Sequence, residues 1–400
     1  MSFSVAYTSV ALLSRRVPFH RTMEHAEIVD KAAEQAHGRQ RYPFTAEALR
    51  EVVRSPEDIV ARQTLQTTAD YRVMYPYEHP YEAWGDAVLY VFLRGVNTTH
   101  GARKSTHDER RRDVILLLSQ LRLHSHISYG LHIDMGDASI DDRVLVHRPA
   151  NVRYIISTNL DASEGVCGRF CFAFPISLGY YRSSAAVFSV LQENRRVEKT
   201  RLLFVPRHGL AAGRTRQALI ASVKNWLNLS ADDVQNNKLP LERYIRTMSD
   251  YRYALSLEGA GKDCTKTWEA LLLGCVPLLQ ESAMARQYAR YLPVLMISAD
   301  GGVQALPTSS QWWQMNFEHA GAAPQFALGM LTNSFWRSLV NISKHLVRRS
   351  VIGNDDEAQH AREGEKATAS QAPGPLKPSQ ALSSTWLTNR SESDTLEMIL

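Results

Sequence analysis

From residue 201 onward, apolar runs and helical stretches alternate along the chain. Short β-type runs cover Arg201 to Val205, Arg252 to Leu257, Val276 to Gln280 and Val294 to Ile297. Helical patterns fill the gaps at Thr215 to Leu227, Leu241 to Met248, Thr265 to Leu273 and Ser282 to Tyr291, with one more over 327–348. Upstream the pattern is looser. Residues 23–66 read as helical, Tyr71 to Trp84 as a connector, and Asp86 to Arg94 as a strand. Asp108 to Leu123 suits a helix, and Val144 to Val146 and Tyr154 to Thr158 suit short strands. Alternating strands and helices predict an α/β protein with parallel sheets covered on both faces. Ligands of such sheets sit beyond the carboxyl ends of the strands, so the strand-to-helix junctions are where chemistry is expected.

One junction stands apart. After the strand ending at Leu257 come Glu258, Gly259, Ala260 and Gly261. Asp263 follows as the expected N-cap, and Thr265, Lys266 and Thr267 make the first helical turn. Glu269 lies a turn further on, Gly274 ends the helix, and the next strand opens at Val276. Small residues allow a ligand close to the backbone, and a helix start offers free N–H groups and a partial positive charge to an anion. A nucleoside diphosphate fits with its phosphates on Gly259, Gly261, Asp263, Thr265, Lys266 and Thr267 and its ribose against Glu269. The loop is neither a Walker loop nor a dinucleotide Gly-x-Gly-x-x-Gly. A plain crossover with a glycine loop is the bland alternative.

Composition narrows the classes. Among 400 residues, 44% are hydrophobic and 22% charged, as in folded soluble chains. Four cysteines are too few for a disulfide scaffold. Cys167 and Cys171 are spaced to pair or to pack as core thiols. Residues 353–400 carry a net −4, are rich in Ala, Ser, Pro and Glu, and are expected to be a disordered tail. The body then carries +9 against the whole-chain +5, too modest and too scattered for a nucleic-acid module. The first 22 residues, with a short apolar stretch and arginines, suit either a targeting peptide or a frayed terminus. Four Asn-x-Ser/Thr triplets, at Asn97, Asn228, Asn341 and Asn389, point only weakly to the secretory pathway.

The stretch SLEGAGKDCTKTWEALLLGCVPLL resembles the donor-binding segment of exostosin-like glycosyltransferases and the related ribitol xylosyltransferase group. The matching residues are Glu258-Gly259, Lys266, Trp268-Glu269-Ala270 and Gly274-Cys275-Val276-Pro277. Upstream, GDASI (136–140), YIISTNLD (154–161), FAFPISLGY (172–180) and the strand, loop and Arg from 201 are similar to other parts of that family, so the resemblance covers roughly 130–300. It implies a GT-B-type fold of two Rossmann-like domains with parallel sheets facing a cleft. The boundaries would be an N-terminal extension over 1–59, an acceptor-side domain over 60–185 and a donor domain over 186–345. It implies transfer of a sugar from a nucleotide sugar, with UDP the expected nucleotide, to a hydroxyl of a glycan or glycoprotein, and a Golgi or secretory setting. A binding protein that keeps the fold and has lost turnover is the alternative.

By the same resemblance Asp137 and Glu258 are the candidate catalytic carboxylates, and Arg214 or Arg216 the Arg that meets the donor diphosphate, with Arg207 behind them. No Asp-x-Asp triplet occurs, so no metal and no cofactor beyond the nucleotide sugar is expected. His124 and His126 would share a strand face near His132, Asp134 and Asp137, without an assured third metal ligand. Trp312 and Trp313, on an expected surface loop, either stack on a sugar or pack against the sheet, with packing favoured.

Overall fold

In a computed structural model of the chain, residues 19–344 are described apart from 40, 62, 70, 76–86, 94–105, 135, 168–170, 177–180, 194–198, 207–212, 230–238, 260, 299–306 and 323. The tail expected over 353–400 lies outside the described residues.

Two parallel sheets carry the α/β arrangement expected from the alternation. The first contains β1 (Tyr71–Tyr75), β2 (Ala87–Leu93), β3 (Tyr129–Asp134), β5 (Val152–Ser157) and β7 (Cys171–Ala173), side by side in that order. A two-stranded pair, β4 (Ile140–Asp141) with β6 (Leu160–Asp161), is interleaved with them in the chain. The second sheet runs in the order β11-β10-β9-β8, from β8 (Arg201–Phe204), β9 (Tyr251–Ser256), β10 (Val276–Gln280) and β11 (Leu295–Ile297). Its register sets Val276 beside Tyr253 and Leu279 beside Ser256. Every residue of β3 is buried, as is all of β9 except Arg252. Strands of a parallel sheet have helices on both faces and no wet side.

Local sequence explains where elements start and stop. Thr106 and Glu109 form a reciprocal capping box at the helix His107–Leu123. The helix Thr265–Leu272 ends where Gly274 takes a φ of +71°, a left-handed turn that glycine adopts without strain. Three expectations are corrected. Part of the Tyr/Pro/Glu-rich connector is β1, whose partner across the sheet is β2. Residues 144 and 145 fall in a short helix, Asp142–Leu145, and Val146 caps its end, because Asp141 caps the start through its side chain. Trp312 and Trp313 lie on a helix, Ser310–Ala322, and not on a loop. Trp313 is fully buried, packs edge-on against Tyr253 and donates its indole N–H to Pro307 O, which settles it as packing.

The first and last described segments interlock. The helix Phe19–His37 lies against Leu328–Leu331, Tyr42 bridges to Phe326, and Ile59 bridges to Thr332. Asn333 accepts from Ala61 N–H and donates to Glu57 O and Ile59 O. His25 is buried between the halves. Its Nε2 donates to Cys171 O at 3.3 Å, so its Nδ1 accepts from the Tyr291 hydroxyl at 2.6 Å. Burial holds this imidazole neutral, with its pKa lowered to about 4. Cys167 and Cys171 are joined as a disulfide.

Candidate functional site

The glycine loop follows the carboxyl end of β9 and feeds the helix Thr265–Leu272. Gly259 N–H donates to Gly261 O at 2.9 Å, folding the loop into a tight turn. Gly259 is exposed, and a Cβ built there would stand 3.8 Å from Arg216 Nη2. The structure therefore brings Arg216, 43 positions earlier in the chain, onto the loop. Arg216 lies on the helix Gly213–Trp226. Arg214 is on the same helix, with its side chain outside the described residues, and Arg207 lies outside them altogether. Lys266 is half-buried in the first helical turn, close enough to Glu269 for its charge to act on that carboxyl. Neither Arg216 nor Lys266 makes an ion pair among the described residues.

Gly261 is where the first half of the chain touches this loop. A Cβ there would fall 2.7 Å from Asn159 Oδ1 and 2.9 Å from Nδ2. Asn159 follows β5, is fully buried, and takes a φ of +54°. Its Oδ1 accepts from Asp263 N–H at 2.7 Å while its Nδ2 donates to Gly136 O. One amide thus ties the Gly136-Asp137 turn to the glycine loop, and the carboxyl ends of β5 and β9 meet there. Asp137 itself is exposed on that turn, beside Asp134, whose Oδ1 accepts from Gly136 N–H at 3.0 Å.

Glu258 is partly buried and carries an ion pair to Lys262 at 3.0 Å; Lys262 reaches Asp161, after β5, at 3.6 Å. Burial raises the Glu258 pKa, with Lys262 drawing it back. Glu269 is buried one turn inside the helix, and its Oε2 accepts from the Tyr244 hydroxyl at 3.0 Å. Burial raises its pKa as well, while the Tyr244 hydrogen bond and the charge of Lys266 oppose the rise. Oε1 has no hydrogen-bond partner among the described residues.

Three assignments change. The N-cap is Cys264, one residue past Asp263, with no side-chain capping bond. Asp263 points inward instead: its carboxylate accepts from Ile176 N–H, Cys264 N–H, the Trp268 indole and the Tyr288 hydroxyl. It is completely enclosed, with its pKa raised to about 6 by desolvation against those donors. It braces the loop and has no oxygen left for a ligand. Thr267 is likewise buried, its hydroxyl sharing a 2.8 Å hydrogen bond with Ser256 of β9. The helix start packs directly on the strand it follows, and that closeness turns Asp263 and Thr267 from ligand groups into supports. Thr265 stays half-buried at the helix start.

The histidine cluster disperses. His124 and His126 sit in the turn after the helix His107–Leu123, not on a strand face, and His132 is fully buried on β3. Among the described residues no group of three or more His, Cys, Asp or Glu is placed to hold a metal ion. No described helix is long and apolar enough to cross a membrane.

Asn159, Lys262, Asp161 and Tyr244 join the site without having been singled out from the sequence. Only Asn159 had a signal there, as the Asn that ends the YIISTN strand.

No protein-family model and no curated protein matches the chain. Among solved structures it is similar to an alpha,alpha-trehalose 6-phosphate synthase from Burkholderia multivorans. The identity is 11%, the match covers 77% of this chain and 98% of that one, and the TM-score is 0.26.

Proposed function

We propose that the chain is a glycosyltransferase that moves a sugar from a nucleotide sugar, with UDP as the nucleotide, to a hydroxyl of a glycan or glycoprotein, in the manner of the exostosin-like group it resembles. One observation carries the reading. Arg216 and Lys266, two cations without ion-pair partners among the described residues, flank a tight glycine loop and a helix start at the carboxyl edge of a parallel sheet. Guanidinium forks match phosphate oxygens, and the helix start adds roughly half a positive charge. Together they stabilise the charge that grows on a departing nucleoside diphosphate. Gly259 admits the phosphates against the backbone, Thr265 offers a hydroxyl, and Glu269 presents its free Oε1 to the ribose. Arg214, two residues before Arg216, is the alternative phosphate-binding Arg.

Two carboxylates serve as candidates for activating the acceptor hydroxyl. Glu258 lies next to the loop, and burial raises its pKa above the ordinary carboxylate value, the direction a general base needs. Asp137 stands on the turn that Asn159 fastens to the loop. With no Asp-x-Asp triplet in the chain, charge neutralisation falls to Arg216, Lys266 and the helix start, and transfer proceeds without a divalent metal.

A binding protein without turnover is the second reading. It is favoured by the Lys262 ion pair, which holds Glu258 in the resting protein.

Thermal unfolding with UDP, GDP, ADP and CMP tests the donor. A nucleotide at 100 times its dissociation constant stabilises by about 2.7 kcal/mol. Turnover of UDP-sugars in excess EDTA then separates the two readings. UDP binding with metal-independent transfer supports the enzyme, and UDP binding without transfer to any acceptor supports the binding protein. Absence of nucleotide binding refutes both.

A further inference from the structure

At the opposite edge of the first sheet lies a second basic site. A cavity of about 420 Å3 opens where the helix His107–Leu123 ends and β5 begins, lined by Arg122, Arg148 and Arg153 with Ser125, Pro149 and Asn151. Its volume is in the range of small-molecule pockets. β5 separates it from the glycine loop: the cavity borders the amino end of that strand and Asn159 follows the carboxyl end. Six residues at a strand's rise place roughly 20 Å between them.

The arginines have no acid to answer them. No carboxylate lines the cavity, and none of the three makes an ion pair among the described residues. Each makes one hydrogen bond, to a neutral oxygen. Arg122 donates to His147 O at 3.2 Å, Arg148 to Val152 O at 3.4 Å, and Arg153 to Ser128 Oγ at 3.3 Å. A guanidinium has five N–H donors, so most of the donors around this cavity are unused by the protein. Arg148 and Arg153 are both partly withdrawn from water. Burial pulls the pKa of Arg148 below its ordinary value, the mark of a charge missing its counter-charge.

The wall is built to keep that charge in place. Asn151 is buried, and its Nδ2 lies 2.9 to 3.0 Å from the carbonyls of Leu121, His124 and Ile127. It occupies the carbonyls at the helix end that would otherwise repel an anion. Pro149 is also buried and stiffens the segment between Arg148 and Arg153.

We propose that this cavity binds a small molecule through a tetrahedral oxyanion, a phosphate or sulfate group held by Arg122, Arg148 and Arg153, at a site separate from the glycine loop. Three forks lining one cavity from a helix end, a loop and a strand suit such a group better than a carboxylate, which offers only two oxygens in one plane.

The test uses the full chain and titrates sodium pyrophosphate and sodium sulfate in separate arms, against sodium chloride at matched ionic strength. Affinity is read by calorimetry. Wild type is expected to bind at least one of the two beyond any effect of chloride, and the arm that responds identifies the oxyanion. The variant R122Q/R153Q is expected to bind at least tenfold more weakly, the scale of lost hydrogen bonds to a charged group. R216A/K266A, which removes any pyrophosphate binding at the glycine loop, is expected to keep the binding step that R122Q/R153Q weakens. R122Q alone changes an exposed side chain with a single hydrogen bond. Its circular dichroism should match wild type while its affinity still falls severalfold. The proposal is overturned if neither oxyanion exceeds chloride, if R122Q/R153Q and R122Q bind like wild type, or if binding disappears in R216A/K266A.

Discussion

Substituting Gly261 by Ala probes the contact on which the candidate site depends. The new methyl carbon would stand 2.7 Å from Asn159 Oδ1 and 2.9 Å from Nδ2, closer than carbon tolerates. Asn159 is fully buried, so it cannot swing into solvent. It has to move off its two partners, leaving Asp263 N–H without an acceptor and Gly136 O without its donor. Each unsatisfied buried group costs about 1–3 kcal/mol, so Gly261→Ala should destabilise by about 3 kcal/mol. Asn159→Ala removes the same two bonds and places alanine at a positive φ, for a cost of about 3–4 kcal/mol. The double variant is the decisive one. If the methyl acts only by displacing Asn159, truncating that side chain makes room for it, and the pair should cost no more than Asn159→Ala alone. That amounts to a coupling of about 3 kcal/mol. Urea unfolding of the four proteins, with m-values taken from the same curves, measures it. Strict additivity, or a Gly261→Ala protein that unfolds at the wild-type midpoint, would refute the reasoning and with it the claim that one amide joins the two loops.

Glu269→Gln should weaken nucleotide binding by roughly 1–3 kcal/mol with the fold intact, since the amide meets the ribose with less acceptor strength; unchanged affinity for UDP in calorimetry would remove Glu269 from the site. Lys266→Ala should lower turnover more than it weakens acceptor binding, because leaving-group charge grows toward the transition state; steady-state kinetics with a UDP-sugar checks this. His25 carries a pH signature. Its folded pKa of about 4 lies below the ordinary 6.5, so the unfolded chain binds the extra proton between those values. The stability it contributes is complete above about pH 6.5 and falls by about 3 kcal/mol as the pH drops toward 4. Asp263 has the opposite sign: its folded pKa of about 6 stands above 3.8, so its contribution is lost as the pH rises between them. Subtracting the His25→Gln stability curve from that of wild type should isolate the histidine contribution, rising with pH; a flat difference would show that His25 titrates normally.

The second sheet was legible because its strands and helices are continuous and bounded by turn residues. β10 begins at Val276 and ends at Gln280 as its apolar run does. β1 was not, because YRVMY sits among prolines, tyrosines and acids that read as a connector, and its pairing with β2 is a tertiary fact. In the site, the loop and the cations could be read because they cluster within a few residues or follow a strand. Asn159 meets Asp263 from 104 positions away, and Asp161 reaches Lys262 across a gap of similar length. Composition and spacing carry no trace of such a meeting. The inward turn of Asp263 has the same origin. A lone Asp before a helix favours an N-cap, and only the arrival of Ile176, Trp268 and Tyr288 around it makes a buried hub.

The interlocking of the first and last described segments has a consequence for biosynthesis. The His25 to Tyr291 hydrogen bond spans 266 positions, and Ala61 waits for Asn333 across 272. At about 5–20 residues per second of synthesis, the ribosome adds the missing partners roughly 15 to 50 s after the early helices emerge. For that interval Val29, Leu49 and Val52, all buried in the finished protein, lack part of their cover. A ribosome stalled before residue 330 would therefore carry a chain whose early helices lack their closing partners and leave apolar surface open to holding chaperones.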